Sequence, residues 1–197
     1  MVEEREFHPL EELPPESPPT AGEAGVTITT VRGMACCQVL ARRGCESQVT
    51  ERLGFRTAPG RAGWADDMLA LPLAPRQWLL LAPRGRDGAF AGALTRSLEG
   101  VGHVSEQSHG RALLRVSGPR AAELLSRECR LDLDPRVAPR GFVAQTAMAD
   151  IGILLHRRDD IPSFDLLLYP GYALSFRQWL DSVAGPMQPA YTEECVN

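Results

Sequence analysis

Residues 105–165 limit the fold more than any other part of this chain, because strand, turn and helix signals follow one another there without a gap. Residues 112–116, Ala-Leu-Leu-Arg-Val, form a short apolar run bounded by polar and glycine residues, the pattern of a strand. Ser117-Gly118-Pro119 then turns the chain into a helix. Ser117 or Gly118 can serve as its N-cap, and Pro119 sits where a missing N–H costs nothing. Ala121, Leu124 and Leu125 supply an apolar face at helical spacing. Residues 152–156 and 164–169 read as two further strands, joined by a polar turn over 157–163. This is an α+β unit, and it predicts antiparallel sheet with packed helices.

The flanking segments extend that reading. A strand is expected near 37–41, ended by Gly44, and a short helix over 46–53 with Val49 and Leu53 on one face and Gly54 as its stop. Residues 59–63 read as a loop. Residues 68–73 and 78–81 are apolar strands split by Pro72 and Pro75, and Trp78 is a core residue. Phe90, Leu94 and Leu98 recur every four residues, so 87–98 is an amphipathic helix that Gly100 and Gly102 end. Pro135 and Pro139 interrupt the chain before a strand candidate at 142–149. Phe176, Trp179, Leu180 and Val183 mark the buried stripe of a last helix over 171–183. The order of elements suggests two similar halves in one domain spanning 31–185.

The ends differ in composition. Residues 1–30 are rich in glutamate and proline and offer few groups for a core, so they form either a disordered tail or an extended arm along a partner. Phe7 and Leu10 would anchor such an arm. Residues 186–197 read as a C-terminal tail. The formal net charge of −4 does not favour nucleic acid as a partner. All 21 basic residues are arginine, a bias that a GC-rich genome produces and that favours forked contacts with carboxylates. No run reaches the roughly 20 apolar residues that cross a bilayer, and the acidic N-terminus lacks the apolar core of a signal peptide. No membrane association and a cytoplasmic location are therefore expected. Five cysteines, two of them the adjacent Cys36 and Cys37, fit reduced thiols better than disulfides, and their spacing gives no zinc motif.

Ser108-His109-Gly110-Arg111 is the most reactive-looking cluster. Adjacent Ser and His on a strand point to opposite faces, so they make a poor nucleophile–base pair. On a strand His109 and Arg111 would share a face and form a donor-rich spot. Three readings follow: a structural salt bridge with Asp159, Asp160 or Asp165, a contact with a partner protein, or a small-molecule carboxylate site. Asp159-Asp160 reads as a turn pair rather than acid–base machinery. No glycine pattern follows a strand as a dinucleotide or phosphate loop requires. The sequence therefore predicts no catalytic, cofactor or metal residue in this chain. His109, Arg111, Phe7 and Leu10 are its candidate partner contacts.

An ordered set of blocks also carries a family resemblance. Gln107-Ser108-His109-Gly110-Arg111, Val116-Ser117-Gly118-Pro119, Leu131-Asp132-Leu133, Ala144-Gln145-Thr146 and Asp159-Asp160-x-Pro162-x-Phe164-Asp165-Leu166 resemble the gamma subunit of heterotetrameric bacterial sarcosine oxidase, over roughly residues 33–183. The resemblance implies a fold similar to the N-terminal folate-binding-type domain of the aminomethyltransferase family. It implies a non-catalytic structural subunit of a flavin-dependent oxidase that demethylates sarcosine to glycine, with hydrogen peroxide and either formaldehyde or methylene-folate as the other products. The FAD, NAD and folate sites would lie in the alpha subunit, covalent FMN in beta and zinc in delta, leaving no cofactor here. The long acidic N-terminus, Cys36-Cys37 and the cysteine near the C-terminus depart from the expected pattern. They keep open a related N-methyl amino acid oxidase, and the fold keeps open a free-standing folate-binding or aminomethyltransferase-like domain.

Overall fold

The structure, a computed structural model, describes residues 25–83 and 88–196. Its first strands are β1 (Thr27–Arg32) and β2 (Met34–Ala41), followed by helix α1 (Glu46–Arg52). Strands β3 (Gly63–Ala65), β4 (Met68–Ala74) and β5 (Gln77–Pro83), helix α2 (Ala89–Ser97) and strand β6 (Gly102–Glu106) complete the first half. The second half holds β7 (Ala112–Ser117), α3 (Ala121–Leu125), β8 (Val143–Met148), β9 (Ile151–Asp159) and β10 (Ser163–Leu168). It ends with α4 (Ala173–Ala184) and β11 (Ala190–Cys195).

Two sheets result, one in the order β11-β1-β7-β10-β9-β8 and one in the order β3-β4-β5-β2-β6. Every strand pair is antiparallel except β1 with β11. Three apolar layers hold them. Alternate residues of β7, β9 and β10, among them Leu114, Leu155 and Leu166, pack outward against α3 and α4. Cys37, Val39, Trp78 and Leu80 of the smaller sheet pack outward with Val49 of α1 and Leu94 of α2. Between the sheets Val31, Leu113, Leu154 and Leu167 meet Cys36, Leu71, Leu79 and Leu81. The period-two alternation of a strand is what lets each sheet feed a helix layer on one side and a shared seam on the other. The expected α+β class with antiparallel sheets and packed helices is the observed one.

Several expectations need correction. Residues 27–30, assigned to the N-terminal arm, belong to β1, where Ile28 is fully buried and Thr29 and Thr30 nearly so. Residues 190–195, assigned to the tail, form an edge strand, and Thr29 Oγ1 lies 2.6 Å from Thr192 Oγ1 across the parallel pair. Strands β3 and β6 have no counterpart among the elements expected from the sequence. Helix α3 begins after Arg120 as N-cap rather than at Ser117 or Gly118. The polar turn expected over 157–163 shrinks to 160–162, because Arg157–Asp159 continue β9. The rest of the N-terminal segment, with Phe7 and Leu10, lies outside the described residues, as does Asp87 of the expected helix start. Among the described residues no helix is long and apolar enough to cross a membrane.

Only Gly33 separates β1 from β2, so the chain passes from one sheet to the other at a single residue. Its φ is +75°, and a Cβ there would stand 2.3 Å from the Val196 carbonyl oxygen. Val196 N–H in turn donates to Arg32 O at 2.9 Å, which pins the end of β11 over the crossing. Gly33→Ala is therefore expected to lose about 1–3 kcal/mol of stability from the left-handed backbone and the contact together. A melting curve superimposable on that of the parent chain would contradict this account of the crossing.

Candidate functional site

The polar residues of the seam are placed by register. On β10, Phe164, Leu166 and Leu168 face the helices, so Asp165 and Leu167 must face the seam. Asp165 pairs with Arg115 of β7 on one side and His156 of β9 on the other. Arg115 pairs onward with Thr29 of β1, so a single transverse row carries Thr29, Arg115, Asp165 and His156. Arg115 Nε donates to Asp165 Oδ1 at 2.7 Å, and its Nη1 donates to the Glu194 carboxylate. His156 Nδ1 lies 3.6 Å from Asp165 Oδ2, and Arg158 Nη1 lies 3.8 Å from the same oxygen. Both are ion-pair distances too long for hydrogen bonds.

Asp165 is buried, and burial alone would push its carboxyl up. The adjoining His156 imidazole and Arg115 guanidinium outweigh that and hold it below the usual carboxylate range. Asp165 is thus a carboxylate inside the protein, held by the Arg115 guanidinium on one side and flanked by His156 on the other. Above it the sheets part into a cavity of about 330 Å³ with His156, Arg158 and Trp64 among its walls. Trp64 of β3 is 48% exposed, and its ring centroid is 6.0 Å from that of His156.

A second cavity of about 400 Å³ opens at the other end of the seam, lined in part by Arg111, Gln38, Gln145 and Tyr169. Here the predicted His109–Arg111 pair changes character. Residues 107–111 form a turn between β6 and β7, not a strand, so the two side chains do not share a strand face. Gly110 N–H donates to Gln107 O at 2.8 Å and closes the turn. Arg111 packs its guanidinium 4.1 Å from the Tyr169 ring centroid, a cation–π contact. His109 is exposed and is not among the residues lining this cavity. The proposed structural salt bridges are also corrected: Asp165 pairs with Arg115, His156 and Arg158, while Asp159 lies 3.7 Å from Arg158. Asp160 sits in the β9–β10 turn.

Ser108 has a structural partner set. Its Oγ accepts from Cys36 N–H at 2.8 Å and donates to the Glu106 carboxylate, which ties the turn to β2 and leaves no Ser–His relay. Cys36 and Cys37 lie on opposite faces of β2, one in the seam and one under the helices. Burial, the largest influence on each, pushes both thiols up to about 12, so neither is a nucleophile at neutral pH. Among the described residues no three His, Cys, Asp or Glu side chains are grouped to hold a metal ion.

Residues 63–185 match the model of the sarcosine oxidase, gamma subunit family. Sarcosine oxidase subunit gamma of an Arthrobacter species is 37% identical over 97 residues, which is 49% of this chain and 47% of that protein. The chain thus spans about half the length of that curated relative. The same subunit of Corynebacterium sp. strain U-96 is 30% identical over 153 residues, covering 72% of this chain and 71% of its own. Among solved structures, heterotetrameric sarcosine oxidase from Corynebacterium sp. U-96, in complex with pyrrole 2-carboxylate, superposes with a TM-score of 0.77 at 26% identity, over 86% of this chain and 89% of that one. Glycine cleavage system aminomethyltransferase T from Bartonella henselae shares the fold at 16% identity, with a TM-score of 0.62 over 86% of this chain and 48% of that one.

Proposed function

The chain belongs to the sarcosine oxidase gamma subunit family, and from that premise we propose that it is the structural subunit of a heterotetrameric, flavin-dependent enzyme that oxidises sarcosine to glycine. The observation that carries this reading is its near end-to-end correspondence with one chain of the Corynebacterium enzyme. In this proposal the chain contributes packing surface. Alpha, beta and delta partners supply FAD, FMN, NAD, folate and zinc sites, and the complex is cytoplasmic. Amine oxidation by oxygen needs an electron carrier that side chains do not provide.

The Arg111 end of the seam suits partner contact. Tyr169 and Tyr172 are 56% and 55% exposed, and among the described residues no carboxylate stands within ion-pair distance of Arg111. Arginine and tyrosine are the residue types that dominate protein interfaces energetically. The test is co-expression with the flavin subunits, followed by a peroxide assay with sarcosine on this chain alone, the flavin subunits alone and the full set. The chain alone is expected to form no peroxide and to co-purify in fixed ratio with the others. Arg111→Glu is expected to weaken that co-purification while leaving turnover per assembled complex unchanged. Peroxide formation by the isolated chain, or full and stable activity of the flavin subunits without it, would overturn the reading.

A further inference from the structure

The cleft of about 400 Å³ at the Arg111 end of the seam takes its walls from both sheets. Among the described residues that line it, only Arg111 carries a charge. That side chain is partly exposed, so its N–H groups stay within reach of a group from outside. Nη1 reaches Gly110 O at 3.4 Å, beyond the ordinary length of such a bond. Among the described residues no other hydrogen bond and no ion pair holds the guanidinium. The Tyr169 ring, 4.1 Å away, steadies the fork without consuming its N–H donors. Glu106, the acid at the foot of the same turn, is taken by Ser108, whose N–H donates to it at 3.3 Å and whose Oγ donates to it as well. The cleft therefore presents one positive fork with no carboxylate of its own to meet it.

The rest of the lining suits main chain. Gln38 of β2 and Gln77 of β5 line the smaller-sheet side, and among the described residues neither side-chain amide has a hydrogen-bond partner. Gln145 of β8 lines the larger-sheet side and donates from Nε2 to Leu73 O at 2.6 Å, which leaves its carbonyl oxygen as an acceptor. Amides on both walls offer donors and acceptors to the N–H and C=O groups of an extended segment. Both lips are apolar and exposed. Leu40 pairs with Gln77 across β2 and β5, so the two share a side of their sheet, and Leu40 is 41% exposed. Tyr169 stands on the other lip, with Tyr172 following it in the chain. A free small carboxylate would satisfy Arg111 and leave these lips in water, whereas a polypeptide covers them.

We infer that this cleft receives an extended acidic segment of a partner subunit, with an Asp or Glu carboxylate on Arg111 and main-chain groups on Gln38, Gln77 and Gln145. The inference rests on the subunit reading and specifies what the partner must present.

The experiment exploits the composition of the chain. All 21 of its Lys and Arg residues are arginine, so Arg111→Lys supplies its only lysine and keeps the charge. A carbodiimide joins such an amine directly to a carboxylate that touches it. Applied to the complex assembled with the flavin subunits, it is expected to give a cross-linked product with Arg111→Lys that the parent complex lacks. Peptide mapping is expected to join position 111 to an Asp or Glu side chain of a partner. A second measurement needs no variant. Phenylglyoxal is expected to modify Arg111 in the free parent chain and to do so about tenfold more slowly or worse in the complex, because the bound fraction is shielded. An assembled complex with no new product, coupling of position 111 only to this chain's own Glu106, or equal phenylglyoxal rates in the two states would each overturn the inference and leave the subunit reading intact. A parent chain that does not co-purify with the flavin subunits would overturn both.

Discussion

Arg115→Met is expected to remove about 3–5 kcal/mol of folding stability at neutral pH, because it strands the Asp165 carboxylate in the seam. The carboxylate is 3% exposed and Arg115 only 11%, so solvent cannot replace the lost partner. His156 and Arg158 remain nearby but at 3.6 and 3.8 Å, beyond hydrogen-bond reach. The variant also frees Glu194, which is 40% exposed and recovers its hydration at little cost. A double variant, Arg115→Met with Asp165→Leu, should regain most of the loss, since the penalty lies in the unmatched charge and not in the missing contact. The pH dependence has a definite sign. Asp165 has a folded-state pKa depressed below its ordinary value of 3.8. Its pairing therefore stabilises the protein fully above the unfolded value and loses that contribution as pH falls through the folded one. The gap between parent and Arg115→Met should accordingly be widest at neutral pH and narrow in strong acid. Urea denaturation at several pH values measures this. A neutral-pH difference below about 1 kcal/mol would place the pair among ordinary surface bridges.

That row of charges shows what a sequence of this kind discloses and what it withholds. Alternation along β7 and β10 is legible, because Ala112, Leu114 and Val116, and Phe164, Leu166 and Leu168, are spaced two apart. The same parity applied to β9 puts Leu154, His156 and Arg158 on one face and Ile153, Leu155 and Arg157 on the other. Reading 157–163 as turn cut the strand short and hid that pattern. Strand neighbours are a separate matter. Nothing local says that β10 lies between β7 and β9, so the sequence alone points Asp165 toward His109 and Arg111 and not toward Arg115. The edge is harder still. Thr29 and Thr192 stand 163 positions apart, and a six-residue segment rich in threonine or glutamate shows its strand character only once a sheet edge receives it. The turn at 107–111 misled for the opposite reason: a Gln-Ser-His-Gly-Arg segment before a strong strand looks like its polar beginning. The glycine signal at 54 and the spacing of Phe176 and Leu180 are local and therefore readable.

Arg157 is the residue whose role that shortened strand concealed, and its loss is expected to be nearly as costly. It is 1% exposed and faces the helix side, where an arginine with no water needs acceptors in fixed directions. Nη1 donates to Ala138 O at 2.9 Å and to Leu133 O at 3.2 Å, and Nε donates to Asp159 O at 3.4 Å. Its guanidinium carbon is 5.5 Å from the Phe164 ring centroid. The segment between α3 and β8 has no regular structure of its own, so its buried carbonyls depend on this side chain for partners. Arg157→Met keeps much of the volume and deletes every donor. Each buried carbonyl left unmatched costs about 1–3 kcal/mol, and two of them set an expected loss of about 3 kcal/mol or more. Arg157→Lys should rescue little, because one ammonium cannot reach both carbonyls with the geometry of the planar fork. Hydrogen exchange separates this mechanism from a general loosening. The amides of Val137 and Ala138, which donate to Asp134 O at 2.9 and 2.8 Å, should lose protection well before those of β7. Stability equal to the parent's in Arg157→Met, or protection lost equally across both sheets, would show that the loop is held by its apolar contacts at Leu133 and Ala138 rather than by the buried guanidinium.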